Sequence, residues 1–129
     1  MKKIVSILLT VVLFLSVTPV STYMDIISNA AAPATLYLTP TSTWANSGAW
    51  FAAYFFGNGE KWVKMTDSDG DGTYEVSVPS GYPSVIFCRM NGGTSDNNWD
   101  NKWNQSNDLD IVAGKTYVVP TDAWDKWTA

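Results

Sequence analysis

Short runs of apolar and polar residues, each ended by a turn signal, constrain the fold of this chain most strongly. Trp50 to Phe56 is one such run and stops at Gly57-Asn58-Gly59, while Thr73 to Val78 alternates strictly. A period of two between turns rich in Gly, Asn and Asp is typical of β-strands. Ser84 to Met90 is almost continuously apolar, which predicts a central strand buried on both faces.

The remaining patterns predict more short strands and no helix of useful length. Asn91 to Asn107 is rich in Asn, Gly and Asp, and we interpret it as a long ordered loop or a pair of turns. About seven strands with regularly spaced turns predict an all-β fold, a small antiparallel β-sandwich. The other predicted strands are Thr35 to Thr39, Lys61 to Thr66, a hairpin of Asp108 to Val112 with Lys115 to Pro120, and a short last strand in Thr121 to Ala129.

The first thirty residues have the order of a secretory signal. Met1-Lys2-Lys3 is positive and Ile4 to Val17 is uncharged and apolar. A run of about 14 residues is shorter than the roughly 20 that a membrane-spanning helix needs, which disfavours the alternative of an uncleaved anchor. With a cut after Ala30, we predict a signal peptide at residues 1–30, one domain at residues 31–129, and a secreted, extracellular protein.

The net charge indicates which binding partners to expect, and the single cysteine indicates how the core is held together. Loss of Lys2, Lys3 and Asp25 with the signal takes the net charge from −4 to −5. An acidic domain is a poor partner for phosphate backbones, so we expect no nucleic acid. We also expect no membrane contact after signal cleavage, and a monomer. Cys88 is the only cysteine and lies in an apolar run, which predicts a buried, inert thiol and a core held by burial alone.

Catalytic side chains are scarce. The chain has no His, which removes the commonest general base and zinc ligand. A glycosidase would need two carboxyl groups facing each other across a cleft, with pKa values driven apart. The acidic residues here cluster in turns, where carboxylates are usually solvated. We therefore predict that the protein is not an enzyme; a small hydrolase is the alternative with only scattered acids in its favour.

Asp67-Ser68-Asp69-Gly70-Asp71-Gly72 resembles the first half of a calcium-binding loop. Alternating acids on a tight Gly-containing turn can direct several carboxylates at one point. The twelfth position, where such a loop carries a bidentate Glu, is Val78, although Glu75 could substitute. A polar turn that needs no metal explains the pattern more simply. We expect no cofactor, with calcium at Asp67, Asp69, Asp71 and Glu75 as the alternative.

The aromatic residues are the stronger functional signal. All seven Trp lie in the predicted mature part, which is too small to bury every one of them. Exposed aromatic rings that stack on the C–H face of a sugar ring, with amides nearby for its hydroxyls, make a carbohydrate site. Alternation places Trp50, Ala52, Tyr54 and Phe56 on one strand face, where the small Ala52 could leave room for a ligand.

Two further groups of residues fit the same chemistry. Trp62 follows the Gly57–Gly59 turn and is expected near the end of that hairpin. Trp99 and Trp103 are interleaved with side-chain amides suited to sugar hydroxyls, namely Asn97, Asn98, Asn101, Asn104 and Gln105.

From Thr35 to about Trp124 the chain resembles the starch-binding carbohydrate-binding modules of family 26, found in secreted amylases and starch-adherence proteins of gut bacteria. Such modules have spaced aromatics at the end of the binding strand, a Trp after the next turn, and a Gln-Thr/Ser-x-Asp-Leu run before a late strand. The stretches that carry the resemblance are Leu36-Tyr37-Leu38, Phe51 to Phe56, Lys61 to Thr66, Gly72 to Val76, Val85 to Asn91 and Trp103 to Leu109.

The resemblance implies non-catalytic binding of starch, an α-1,4-glucan, that keeps a secreted bacterial protein on its polysaccharide. Tyr54 and Trp62 match the stacking pair, Phe56 matches a position often Trp or Tyr, and Gln105 matches a polar contact. Ala52 stands where relatives often have Tyr, and Trp62-Val63-Lys64 replaces the usual Trp-Pro-Gly, which could shift contact toward Trp99 and Trp103. The alternatives are an extracellular protein-interaction or structural domain, and a module for β-glucan or xylan.

Overall fold

The computed structural model describes residues 34–121, which form two β-sheets and no helix. Within these residues no helix is long and apolar enough to cross a membrane. The predicted signal peptide and the predicted last strand lie almost entirely outside them. The strands are β1 (Thr35–Thr39), β2 (Trp50–Phe56), β3 (Lys61–Lys64), β4 (Tyr74–Ser77), β5 (Ser84–Met90), β6 (Lys102–Gln105), β7 (Leu109–Asp110) and β8 (Thr116–Val118).

The larger sheet has the strand order β3-β2-β5-β6, with β7 also paired to β5. The smaller sheet has the order β4-β1-β8. All pairs are antiparallel except β1 with β8, which is parallel. The predicted all-β sandwich is therefore confirmed, with one parallel pair that the antiparallel prediction did not contain.

The β2–β5 pair forms the centre of the larger sheet. Seven residues of each strand are in register, from Trp50 opposite Met90 to Phe56 opposite Ser84. Because side chains alternate across a strand, Phe51, Ala53 and Phe55 all point into the sandwich, and each is fully buried. They pack against side chains of the smaller sheet and its margins, namely Leu36, Leu38, Val76, Tyr117 and Val119.

Aromatic contacts link the two sheets. The rings of Phe51 and Tyr74 meet edge to face with centroids 4.6 Å apart. Phe87 and Tyr117 lie 5.0 Å apart, and the Tyr117 hydroxyl donates a hydrogen bond of 2.9 Å to the carbonyl of Asp110. These pairs add directional contacts to the burial that holds the core, which contains no disulfide among the described residues.

Three of the predicted strands have the limits that the sequence indicated. The predicted limits of β1, β2 and β5 agree with the structure, while β3 and β4 are shorter than predicted. β5 pairs on both sides and is buried along most of its length, as its apolar sequence indicated.

Two predictions after residue 90 were wrong. The predicted loop from Asn91 to Asn107 contains strand β6, which pairs with β5. The predicted hairpin of Asp108 to Val112 with Lys115 to Pro120 does not form, because β7 pairs with β5 in the larger sheet and β8 with β1 in the smaller one. The turn around Gly114 (φ 72°) therefore passes the chain from one sheet to the other rather than back onto its neighbour.

Phe55 provides a test of the core. We expect Phe55→Ala to lower the free energy of unfolding by about 3–5 kcal/mol, because it removes a fully buried ring and leaves a cavity. Urea denaturation followed by fluorescence measures the loss. Val112→Ala, at a position 51% exposed, should change stability by less than about 0.5 kcal/mol. Equal effects of the two substitutions would contradict the placement of Phe55 in the core.

Candidate binding site

Three rows of paired residues make up most of the outward face of the larger sheet, beside the pair of Phe56 with Ser84. In the first row, Trp62 of β3 lies opposite Tyr54 of β2. The second row runs from Lys64 through Ala52 and Cys88 to Gln105, and the third contains Trp50, Met90 and Lys102. Directly paired residues of antiparallel strands share a face, so strand register alone places these side chains together on the side away from the main core.

Five aromatic residues cover much of this face, and we call them the aromatic platform: Trp50, Tyr54, Phe56, Trp62 and Trp99. Tyr54 is their common support. Its ring lies 5.0 Å from that of Trp62, 4.6 Å from that of Trp99, and 5.9 Å from that of Phe56, nearly parallel to the last. Only 8% of Tyr54 is exposed, so most of its ring is covered by its neighbours.

Trp62 and Trp99 form the accessible top of the platform. Trp99 is 41% exposed and Trp62 is half-buried. Their ring centroids are 4.7 Å apart and their planes meet at 67°. The two indole rings therefore meet edge to face, with their planes in clearly different orientations.

The turn before β6 holds Trp99 over the sheet. The Asn98 side chain accepts a hydrogen bond from the Asn101 backbone, and the Asn101 side chain donates to the carbonyl of Asp96. The indole N–H of Trp50 donates a hydrogen bond of 3.0 Å to the carbonyl of Asn91, which ties the start of the same segment to β2. These bonds fix the segment that carries Trp99 without any contribution from a ligand.

Polar groups border the platform. The Lys102 ammonium lies 5.6 Å from the centre of the Trp99 ring and donates a hydrogen bond to the side-chain carbonyl of Gln105. The Lys64 ammonium lies 4.9 Å above the Trp50 ring. The two ammonium groups therefore lie over the rings of the exposed Trp99 and the half-buried Trp50. Neither lysine was predicted as a site residue. For Lys64 the sequence contained a signal, because a residue two positions after Trp62 lies on the same strand face as Trp62.

Burial raises the pKa of the Tyr54 phenol, and the Glu60 carboxylate raises it further through a hydrogen bond and its charge. The phenol therefore stays protonated at neutral pH. In that state its O–H donates a hydrogen bond to the Glu60 carboxylate while the flat ring supports Trp62 and Trp99.

Most of the predicted site residues lie on the outward face, but Trp103 does not join them. Tyr54, Phe56 and Trp62 lie together, and Gln105 joins them on this face by register. Trp103 packs instead on Arg89, a residue whose strand partner Phe51 points into the sandwich.

The space expected above Ala52 is absent. Ala52 is fully buried in the outward cluster, against which Trp50, Phe56 and Trp62 pack. Its small side chain lets the aromatic neighbours close over the strand, so the platform has no pit at this position. Some of the predicted amides are used within the protein, because Asn98, Asn101 and Asn104 all hydrogen-bond to protein atoms. Among residues 34–121, the side-chain oxygen Oδ1 of Asn97 is buried without a hydrogen-bond partner.

The acidic loop brings three carboxylates together. One oxygen from each of Asp67, Asp69 and Asp71 lies within 4.8 Å of the others. Glu75 is not part of this group and accepts a hydrogen bond from the Ser68 hydroxyl instead. Both oxygens of Asp67 accept hydrogen bonds from backbone N–H groups, those of Gly70 and Gly72, so this carboxylate shapes the turn. The absence of a cofactor stays our prediction, with calcium as its alternative.

A separate cleft of about 360 Å³ opens between the edges of the two sheets, beside β3 and β4. Val63 and Val76 line it together with hydroxyl-bearing side chains such as Thr35 and Tyr37. None of the platform's aromatic residues reaches this cleft. The exposed aromatic surface and this cleft are therefore different places, and the chemistry suited to stacking belongs to the former.

Comparison with known proteins gives no match: no protein-family model, no curated protein and no solved structure matches this chain. The resemblance to family 26 modules therefore stays a prediction from the residues that carry it.

Cys88 lies beneath the platform, and burial raises the pKa of its thiol to about 12, with the positive charge of Lys102 acting in the opposite direction. From its ordinary value of 9.0 upward, the unfolded thiol ionises while the folded one stays protonated. The contribution of Cys88 to stability is thus complete below pH 9 and is lost progressively between pH 9 and 12.

We therefore expect the free energy of unfolding to fall more steeply above pH 9 in the wild-type protein than in Cys88→Ala. The difference in slope should approach 1.4 kcal/mol per pH unit, the value for one proton. Tyr54 and Tyr117 also have raised pKa values but are present in both proteins, so their effects cancel. Urea titrations at several pH values measure the slopes, and parallel curves for the two proteins would contradict the buried thiol.

Proposed function

We propose that this protein binds α-1,4-glucan, the polymer of starch, reversibly and without catalysis, through the aromatic platform. The observation that carries the proposal is the pair of accessible indole rings, Trp62 and Trp99, fixed on the outward sheet face. Sugar rings present C–H groups that pack flat against such rings. Lys102 and Gln105 supply polar groups beside the rings, where the hydroxyls of a stacked sugar would lie.

The angle between the two rings favours a wound chain over a flat one. Successive glucose units of an α-1,4-linked chain turn relative to one another, so two stacked units need aromatic faces that are not coplanar. The 67° between the planes of Trp62 and Trp99 meets that need. A flat β-linked chain such as cellulose or xylan would instead need rings in one plane, which disfavours the β-glycan alternative.

The platform is suited to binding with little rearrangement. Tyr54 supports both indole rings from below, and the hydrogen bonds of Asn98 and Asn101 hold the turn that carries Trp99. A preformed site avoids most of the ordering cost of binding, whereas the small open surface limits the contact area. We expect each site to bind weakly, and secretion would place the protein where starch is present.

In this proposal Tyr54 serves mainly as a support rather than as a stacking surface. The family resemblance pairs Tyr54 with Trp62, but Tyr54 is only 8% exposed whereas Trp99 is 41% exposed. Trp62 and Trp99 are therefore the residues that we assign to stacking on adjacent glucose units.

Trp62→Ala and Trp99→Ala test the proposal. Affinity electrophoresis through gels containing amylopectin, xylan or no polysaccharide measures binding. We expect amylopectin alone to retard the wild-type protein, and each substitution to weaken binding at least tenfold, or about 1.4 kcal/mol, because each removes a stacking face. Val112→Ala is the matched control, since it removes an exposed apolar side chain outside the platform.

The alternatives give different results in the same gels. Retardation by xylan would point to a β-linked ligand. Equal mobility of the wild-type protein in every gel would overturn the glucan proposal and favour a platform that contacts a protein partner.

A further inference from the structure

Trp103 is an exposed aromatic residue that the platform does not use. It is 38% exposed and lies on β6. The pairing of β5 with β6 skips it: Arg89 lies opposite Asn104 and Met90 lies opposite Lys102. Trp103 is thus the extra residue of a β-bulge. A bulge redirects the side chain of its extra residue, which explains why Trp103 does not follow the alternation that would place it with its neighbours.

Arg89 holds one face of the Trp103 ring. The centre of its guanidinium group lies 4.6 Å from the centre of the ring. Three hydrogen bonds fix that group, to the carbonyl of Trp44 (2.6 Å), the carbonyl of Asn46 (2.9 Å) and the side chain of Asn104 (3.3 Å). A cation over an aromatic ring is attractive, and here the three hydrogen bonds hold the cation in place. One face of the indole is therefore clamped, and the exposed part of the ring is held in a fixed orientation.

The position of Arg89 separates this ring from the platform. The strand partner of Arg89 on β2 is Phe51, which points into the sandwich, whereas Tyr54 of the platform points outward. Trp103 and Trp99 are thus presented on opposite sides of the larger sheet. One short oligosaccharide stacked on Trp62 and Trp99 does not reach a ring on the other side of the backbone of β6.

We propose that Trp103, clamped by Arg89, is a second and independent α-glucan-binding site, so that one domain engages two glucan segments. This inference rests on the proposed function, from which it takes its ligand. The ring supplies the stacking face, and the amide side chain of Asn46 lies at the loop whose carbonyl binds Arg89. Two weak sites that bind one branched polymer gain apparent affinity, because binding at the first raises the effective concentration at the second.

Trp103→Leu separates the two sites, since Leu keeps an apolar side chain over Arg89 but offers no aromatic face. Isothermal titration calorimetry with maltoheptaose should give two sites per chain for the wild-type protein and one for Trp103→Leu. Affinity for amylopectin should fall at least tenfold in the variant through loss of avidity. The wild-type protein should also make dilute amylopectin turbid by cross-linking, and the variant should not.

Two further variants keep the result interpretable. Trp103→Phe retains an aromatic face and should restore the second site. Trp62→Ala should retain one site of the two. Protection of the Cys88 thiol from an alkylating reagent confirms that each variant is folded, because the thiol is fully buried in the native protein.

The outcomes distinguish the two proposals. One site per wild-type chain, with Trp103→Leu unchanged in stoichiometry and in amylopectin affinity, would overturn the second site and leave the platform in place. Loss of all glucan binding in Trp62→Ala would also overturn the second site, because an independent site at Trp103 would still bind. Absence of any glucan binding by the folded wild-type protein would overturn both.

Discussion

The pairing of β2 with β5 is the interaction on which the rest of the structure depends. Seven residues of each strand are in register, and this register decides which side chains face the core and which face outward. Phe51 and Phe55 go inward, while Tyr54 goes outward to support Trp62 and Trp99. A slip of one residue would exchange the two sets and remove both the core and the platform. Stability and the proposed function therefore depend on one strand register.

Aromatic side chains pack on both faces of the larger sheet and have a different role on each. Inside, rings such as Phe51 and Tyr74 join the sheets in a core without a disulfide among the described residues. Outside, a second cluster around Tyr54 gives the larger sheet a covered face on its other side. The central strands are thus buried on both faces, which accounts for the near-continuous apolar sequence of β5. The proposed binding surface is the top layer of this outer cluster rather than a set of isolated exposed rings.

Sequence patterns predicted the parts of the fold that depend on local periodicity. The limits of β1 and β2 followed from short apolar runs that end at turn residues such as Gly57, and those of β5 followed from its near-continuous apolar sequence. The pairing of β6 was missed because its four residues are mostly polar and its bulge at Trp103 interrupts the period of two. The pairing of β8 with β1 in the smaller sheet was missed because the residues of a Gly-containing turn do not determine which sheet the next strand joins.

The part of the candidate site that lies on regular strands was also predictable from local sequence patterns. Register on β2 and β3 brings Tyr54 and Trp62 together. Alternation predicted the strand face of Tyr54, and the family resemblance implied its pairing with Trp62. The contact of Trp99 with both depends on a turn closed by side-chain hydrogen bonds of Asn98 and Asn101, which no period reveals. The separation of Trp103 from the platform depends on one inserted residue in a strand. Such features arise from the three-dimensional path of the chain rather than from its local pattern.

The parallel pairing of β1 with β8 has a consequence for the order of folding. It joins Tyr37 to Thr116, residues separated by most of the described chain. The β2–β3 hairpin can close as soon as its own residues are available, whereas this contact must wait for nearly the whole domain. A chain that leaves the ribosome or a translocation pore from its N-terminus would therefore hold β1 without its β8 partner until the end. The smaller sheet closes last, and until then the inner faces of Phe51 and Phe55 lack part of their cover.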